Sequence, residues 1–230
     1  MKTFNKCLSP EDYRESEMGM WLYLYDFAVE SRAVPHMPGP HMHRRWEYGM
    51  AMEFLRELGG PEANPNILDV GGAGSLFAPI AMYSGYNVTV VDPDPCVFML
   101  IGQIRAVQQH GMGEPQGTAV CLDFMEFNST DRYDAVVCLS TIEHIEDDVS
   151  FVQKLQSHTD KAIFLTTDFS MDGGQYSPGH LRTYTPKTMK NKLYKSLDDK
   201  WAMVGAPDWQ HTGPYVLGYN FACMGVTNES

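Results

Sequence analysis

From residue 65 onward, short and almost continuously apolar runs alternate with longer segments whose apolar residues recur at helical spacing. The runs NILDVG (66–71), YNVTVVD (86–92), GTAVCLD (117–123), YDAVVCLS (133–140) and AIFLTTD (162–168) predict strands. None alternates apolar with polar residues as a half-exposed strand does, so each is expected to be covered on both faces. Between them, SLFAPIAMYSG (75–85), PCVFMLIGQIRAVQQHG (95–111) and EDDVSFVQKLQSH (146–158) predict helices. In the second, Asp94 is placed to cap, Pro95 suits a first helical position and Gly111 closes the segment. Such alternation implies parallel strands joined by right-handed crossovers, an α/β doubly wound sheet. Two further runs, 200–209 and 219–228, are close enough in sequence to predict an antiparallel pair at the sheet edge.

Residues 1–60 have another pattern. Ser9, Pro10 and Glu11 form a helix-start signature, and the three prolines of VPHMPGPHMH end that helix. Trp46, Met50, Phe54 and Leu58 then recur every four residues before the pair Gly59–Gly60, which predicts an amphipathic helix with a glycine stop. The reading is an N-terminal helical cap over residues 1–60, joined to a main domain over 61–230.

Composition narrows the possibilities. Apolar residues make up 43% of the 230, enough for a sizeable core. The longest apolar runs fall short of the roughly 18 residues that a membrane-spanning helix needs. The polar, acidic N-terminus carries no signal-peptide pattern. Five scattered cysteines suggest neither a disulfide framework nor a zinc motif, and a cytoplasmic location is expected. The net charge of −12 would repel a phosphate backbone, so a small-molecule substrate is expected rather than nucleic acid. Residues 187–200 are locally basic, and their lysines are read as the solvated face of a helix.

The chemistry is concentrated where the first predicted strand ends. Asp69 is followed by Gly71, Gly72, Ala73 and Gly74, then by a helical pattern. In an open parallel sheet, ligands bind beyond the carboxyl ends of the strands, and small residues let backbone N–H groups approach them. Asp92 ends the second strand, where an acid can accept hydrogen bonds from ribose hydroxyls. A dinucleotide fold would carry no acid before its glycines. A carboxylate at Asp69 would repel a pyrophosphate and attract a sulfonium or ammonium group, which favours S-adenosylmethionine.

With these residues in view, the chain resembles the class I S-adenosylmethionine-dependent methyltransferase family, in its small-molecule branch. DVGGAGS is similar to that family's acid-and-glycine loop, with Ala73 and Ser75 where glycines are usual. VVDPD matches the second-strand acid at Asp92, followed by Pro93. VCLDFMEF is similar to the segment in which an acid contacts the adenine amino group, here Asp123, with Phe124 flanking the ring. YDAVVCLSTIEHIEDD, with Ser140, Glu143 and His144, and HLRTYTPKTMKNKL are similar to the segments after strands four and five. The resemblance spans roughly residues 65–228. It implies a Rossmann-like seven-stranded sheet in the order 3-2-1-4-5-7-6, S-adenosyl-L-methionine as cofactor, and methyl transfer to an oxygen or nitrogen of a small molecule. It places Asp69, Gly71 and Gly74 at the methionine end of the cofactor, with Gly72 among the cofactor-binding residues.

A donor already activated as a sulfonium needs chiefly positioning, plus a base where the acceptor is protonated. His144 leads as that base, with helix capping or cofactor contact as the blander role. His180 and Tyr184 are expected to line the acceptor pocket or to shape a helix-entry loop. His36, His41 and His43 are read as part of a lid loop rather than a metal centre, since no cysteine or acid joins them locally. Asp168 and Asp172 are read as loop acids rather than magnesium ligands, and no resident metal is expected. Trp46 and Tyr48 are assigned to core or interface, with cover for the cofactor as the alternative. Two rivals stay open: a cofactor-binding protein without turnover, and a methyltransferase acting on RNA or protein.

Overall fold

Ile67, Leu68, Asp69 and Val70 are buried along β1 (Asn66–Val70), the central strand of the sheet in this computed structural model. The structure describes residues 2–9, 11–12, 42–73, 75–99, 102, 117–174, 178–210 and 220–229. β1 pairs in parallel with β2 (Asn87–Asp92) on one side and β4 (Ala135–Cys138) on the other. β3 (Gly117–Cys121) continues the sheet beyond β2, and β5 (Ala162–Phe169) continues it beyond β4, both in parallel. The chain closes with β6 (Trp201–Met203) and β7 (Asn220–Asn228), and β7 runs antiparallel to both β5 and β6. The order is β3-β2-β1-β4-β5-β7-β6, as the resemblance implied. Strand order reverses between β1 and β4, and a doubly wound sheet opens a ligand crevice at such a point.

Two apolar layers sandwich the sheet. One contains Trp46, Met50 and Phe54 of α1 (Met42–Glu57) and Phe77, Ile80 and Ala81 of α2 (Phe77–Tyr83). The Phe54 ring lies 5.3 Å from that of Phe164 on β5, so α1 is packed directly onto the sheet. The opposite layer contains Phe151, Val152 and Leu155 of α3 (Asp148–Ser157), with Leu193 and Trp201. Asp147 caps α3 by accepting the Ser150 N–H at 3.1 Å.

The N-terminal segment completes an edge. Phe4 and Leu8 donate their N–H groups to Val204 and Phe221, and Cys223 and Gly225 donate back to Lys6 and Phe4. β6 is only three residues long, so this segment satisfies the part of β7 that β6 leaves uncovered.

Several expectations are corrected in detail. β3 is half-exposed rather than covered on both faces, because it is the edge strand. The strand expected over 200–209 is limited to Trp201–Met203. Leu58, assigned to the apolar stripe, is 41% exposed, because α1 stops at Glu57 before the Gly59–Gly60 turn. The basic segment is helical as expected but irregular, with an α turn at Pro186–Thr188, a π turn at Met189–Leu193 and a 3₁₀ turn at Tyr194–Ser196. Its Lys187, Lys190 and Lys195 face solvent while Met189 and Leu193 are buried. Of the helix expected over 95–111, residues 95–99 and 102 are described: a turn at 95–96, then helix at 97–99 and 102. Pro10, Gly74, His36 and His41, and the side chain of His43, lie outside the described residues.

Candidate active site

The turn after β1 is built around one carboxylate. Asp69 is 1% exposed, and its Oδ2 has no hydrogen-bond partner among the described residues. Burial, and then the charge of Asp92, push its carboxyl up to about 8. The glycines beside it are steric necessities. A Cβ on Gly72 would lie 2.3 Å from Asp69 Oδ2 and 2.8 Å from Val90 Cγ1. Gly71 adopts φ +81°, and a Cβ there would lie 2.1 Å from Thr141 Oγ1. The two chain passes that meet here belong to β1 and to the loop after β4, either side of the switch in strand order. Thr141 is fixed in turn by donating to the Leu139 carbonyl at 3.2 Å.

One strand over, Asp92 ends β2. Its Oδ2 accepts the Ala73 N–H at 3.0 Å and its Oδ1 accepts the Asp94 N–H at 2.8 Å. Asp92 therefore ties the glycine turn to the loop after β2. Its oxygens keep acceptor capacity, since an ionised carboxylate has about four lone-pair sites. Pro93 is exposed, and its carbonyl accepts from Cys121 Sγ at 3.5 Å. Asp94 accepts the Cys96 N–H at 2.8 Å, which gives the capping contact read from the sequence. Asp123 follows β3, exposed, with one oxygen accepting the Met125 N–H at 2.8 Å. Phe124 is not exposed beside it. Its ring is 4% exposed and meets Phe151 edge-on at 5.3 Å between ring centres.

α1 reaches this end of the sheet with residues that periodicity alone assigned to packing. Trp46 and Tyr48 are buried. The Tyr48 hydroxyl accepts the Leu76 N–H at 3.3 Å, satisfying a backbone donor at the start of α2. Glu47 is fully buried and accepts from the hydroxyls of Ser140 and Thr166, while Arg44 donates to its other oxygen at 3.2 Å. Ser140 sits in the left-handed region at φ +45°, with its N–H held by Thr166 Oγ1 at 3.0 Å. Strain of this kind persists where surrounding contacts fix the backbone.

The second group lies beyond β4 and β5. Ile142–His144 form a 3₁₀ turn in which Glu143 is fully buried and His144 is exposed. Glu143 Oε2 accepts from Thr167 Oγ1 at 3.3 Å. The His144 and His180 rings meet edge to face, 4.3 Å apart at their centres. His180 Nδ1 contacts Asp168 Oδ2, and His144 Nδ1 contacts the Gly179 carbonyl at 3.3 Å. Burial, then the charge of Asp168, hold the Glu143 carboxyl well above its usual range. Burial, then Glu47, push Asp168 up to about 7. Burial, with His180 next in weight, lowers His144, and burial followed by Arg44 lowers His180.

The structure brings His144 and His180 together, but it does not bring Tyr184 to them. The Tyr184 hydroxyl is buried and donates to Asp148 Oδ2 at 2.7 Å, beside Arg182 and Lys192. Asp172 stays on the exposed loop, accepting the Gly174 N–H at 3.1 Å, whereas Asp168 is buried and contacts the partly exposed His180. Sequence reasoning missed Glu47 and Arg44. An ionisable pair on the buried face of a predicted helix was the signal that could have found them.

Comparison with known proteins agrees with this architecture. Residues 41–204 match the family model described as a methyltransferase domain. The ubiquinone biosynthesis O-methyltransferase of Rickettsia conorii is 31% identical over 161 residues, 67% of this chain and 50% of that protein. The Bordetella avium protein of the same name is 24% identical over 45% of this chain and 42% of its own length. This chain thus spans about half the length of the curated relatives it matches. Among solved structures, the Burkholderia thailandensis 1,6-didemethyltoxoflavin-N1-methyltransferase superposes with a TM-score of 0.62 at 16% identity, covering 93% of this chain and 90% of that one. Magnesium protoporphyrin IX methyltransferase from Synechocystis PCC 6803 gives 0.57 at 15% identity, covering 93% and 97%. At such identities the superpositions speak for the fold, and the family match speaks for descent: the chain belongs to the class I S-adenosylmethionine-dependent methyltransferase family.

Proposed function

We propose that the protein transfers the methyl group of S-adenosylmethionine to an oxygen or nitrogen of a small-molecule acceptor. One observation carries the reading. Asp69 presents a buried carboxylate oxygen with no partner among the described residues, beside a backbone too close for any side chain, one strand from a second acid. A buried anion of this kind is costly unless a cation meets it. The ammonium and sulfonium of the methionine end supply that cation, and the activated methyl is the chemistry that the cofactor brings.

In this reading Asp69, Gly71, Gly72 and Gly74 hold the methionine end. Asp92 accepts from the ribose hydroxyls, with Pro93 fixing the loop after it, and Asp123 accepts from the adenine amino group. Phe124 supports the adenine side from the core, and Ser140 fixes the loop after β4. His144 and His180 face the acceptor, and a ring nitrogen there takes the proton from an acceptor that carries one. Tyr184 braces the acceptor side through Asp148. Residues 1–60 act as a cap on the body formed by 61–230, with Glu47 and Tyr48 reaching both halves of the crevice.

The acceptor is small and its recognition is not that of a nucleic acid, as the net charge of −12 supports. No helix among the described residues is long and apolar enough to cross a membrane. Cys96, Cys121, Cys138 and Cys223 are thiols outside any disulfide, which supports a reducing, cytoplasmic location. A crystal structure with S-adenosylhomocysteine tests the reading. It is expected to show the ribose on Asp92 and the amino-acid end beside Asp69. A crevice left empty, or occupied by a pyrophosphate, would overturn it.

A further inference from the structure

Glu143, His144 and His180 each offer a ligand atom, and these three atoms lie within 4.8 Å of one another. The residues come from two places in the fold: the 3₁₀ turn after β4, and the loop after β5. Both imidazoles are oriented through Nδ1. A backbone carbonyl can only accept, so the contact with Gly179 puts the proton of His144 on Nδ1 and leaves Nε2 as its ligand atom. Asp168 holds Nδ1 of His180. A carbonyl or carboxylate on the far nitrogen is how ligating histidines are usually fixed.

Charge gives a second, independent argument. Glu143 Oε1 and Asp168 Oδ1 are buried with no hydrogen-bond partner among the described residues. Glu143 is 0% exposed and Asp168 1%. Glu47, another buried acid at this end of the sheet, has Arg44 as its ion pair. Asp168 has the His180 imidazole against its other oxygen, whereas Glu143 forms no ion pair among the described residues. A buried carboxylate of that kind is destabilising unless a proton or a cation neutralises it, and a divalent ion beside Glu143 supplies the charge.

We propose that Glu143, His144 and His180 bind a divalent metal ion, with Asp168 as the residue that positions His180. Two imidazoles and a carboxylate suit zinc, manganese or iron(II) better than calcium or magnesium, which favour all-oxygen sites. Three protein ligands leave a coordination position open. An acceptor hydroxyl or a water there would lose its proton more readily, which is the task otherwise given to His144 as a base. The site goes beyond the methyl-transfer reading, since a metal can be taken up with no methyl donor present.

The test uses the whole chain, freed of metal with a chelator and titrated with Mn²⁺. Free Mn²⁺ is monitored by electron paramagnetic resonance, and Zn²⁺ is then added as competitor. One Mn²⁺ per chain, displaced by Zn²⁺, is the expected result. Glu143→Gln and His180→Ala should each weaken uptake at least tenfold, and Asp168→Asn by less, because the ligands remain. A triple change of His36, His41 and His43 to Ala should leave uptake unchanged. S-adenosylhomocysteine titrated into Glu143→Gln checks that the fold and the cofactor crevice survive, so the metal site and the cofactor site fail separately. No stoichiometric uptake, equal uptake by the wild type and Glu143→Gln, or loss of uptake only in the triple variant would each overturn the proposal.

Discussion

The carboxylate of Glu47 accepts the hydroxyl of Ser140, 93 positions further along the chain. This bond joins the N-terminal helix to the loop where strand order reverses. The same carboxylate accepts from Thr166 of β5 and pairs with Arg44. A helix that periodicity marks as a packing element thereby helps to set the shape of the crevice.

Removing Glu47 should therefore act on stability as well as on the site. Glu47→Ala leaves two buried hydroxyls and the Arg44 guanidinium without their acceptor. A loss of about 2 kcal/mol is expected after discounting for the partial exposure of Arg44. Ser140→Ala should cost about 1 kcal/mol, because only one hydrogen bond is lost. Urea unfolding of both variants measures this, and an unchanged midpoint for Glu47→Ala would contradict the account.

The fold was legible in sequence because its signals are local. Five parallel strands, all but the edge strand β3 largely buried, each wrote an apolar run bounded by turn residues, and the glycine turn wrote itself beside Asp69 within a few positions. The acceptor side was harder to read. Glu47 meets Ser140 only after the sheet has formed, and no spacing in the chain reports it. Tyr184 lies in the segment expected to line the pocket, yet its hydroxyl points to Asp148, because a backbone bridge to Phe169 decides which way the side chain turns. Phe124 is next to Asp123 in sequence, but the turn there sends the ring into the core and leaves the acid exposed.

Glycine-to-alanine changes separate crowding from chemistry. In Gly72→Ala the new methyl group would collide with Asp69 Oδ2 and Val90, both packed in the buried centre of the sheet. The carboxylate must move, and cofactor affinity should fall at least tenfold. Gly85→Ala serves as a comparison: it also adopts a positive φ, and its Cβ would press on Pro61 at 3.2 Å, a contact that Pro61 must yield to slightly, before the start of β2 and away from the strand ends that form the crevice. It should lose stability and keep affinity. Isothermal titration with S-adenosylhomocysteine distinguishes them.

Asp69 also predicts a pH dependence. Its folded carboxyl is raised to about 8 from an ordinary value of 3.8. The unfolded chain therefore gives up this proton first as pH rises, so the contribution of Asp69 to stability is fully present below about pH 4 and is lost as pH rises toward 8. Asp69→Asn should remove that part of the slope, worth more than about 1 kcal/mol across the range. A cationic ligand reverses the preference, so cofactor binding near pH 7 should release a proton. Calorimetry in buffers of different ionisation heat measures the release, which Asp69→Asn should abolish.

Tyr184→Phe tests whether that hydroxyl is a brace or a participant. It deletes the 2.7 Å bond to Asp148 but leaves Arg182 and Lys192 in place. A stability loss of about 1 kcal/mol with turnover reduced less than threefold is expected. Loss of turnover with stability unchanged would return Tyr184 to the acceptor pocket.

The cradle formed by Asp69 and Asp92 is most directly tested by titrating S-adenosylhomocysteine into the wild-type protein and into Asp92→Ala, with circular dichroism confirming that both are folded. One molecule bound per wild-type chain, and affinity at least tenfold weaker in the variant, is the predicted result. No binding to the wild type, or the same affinity in both proteins, would contradict it.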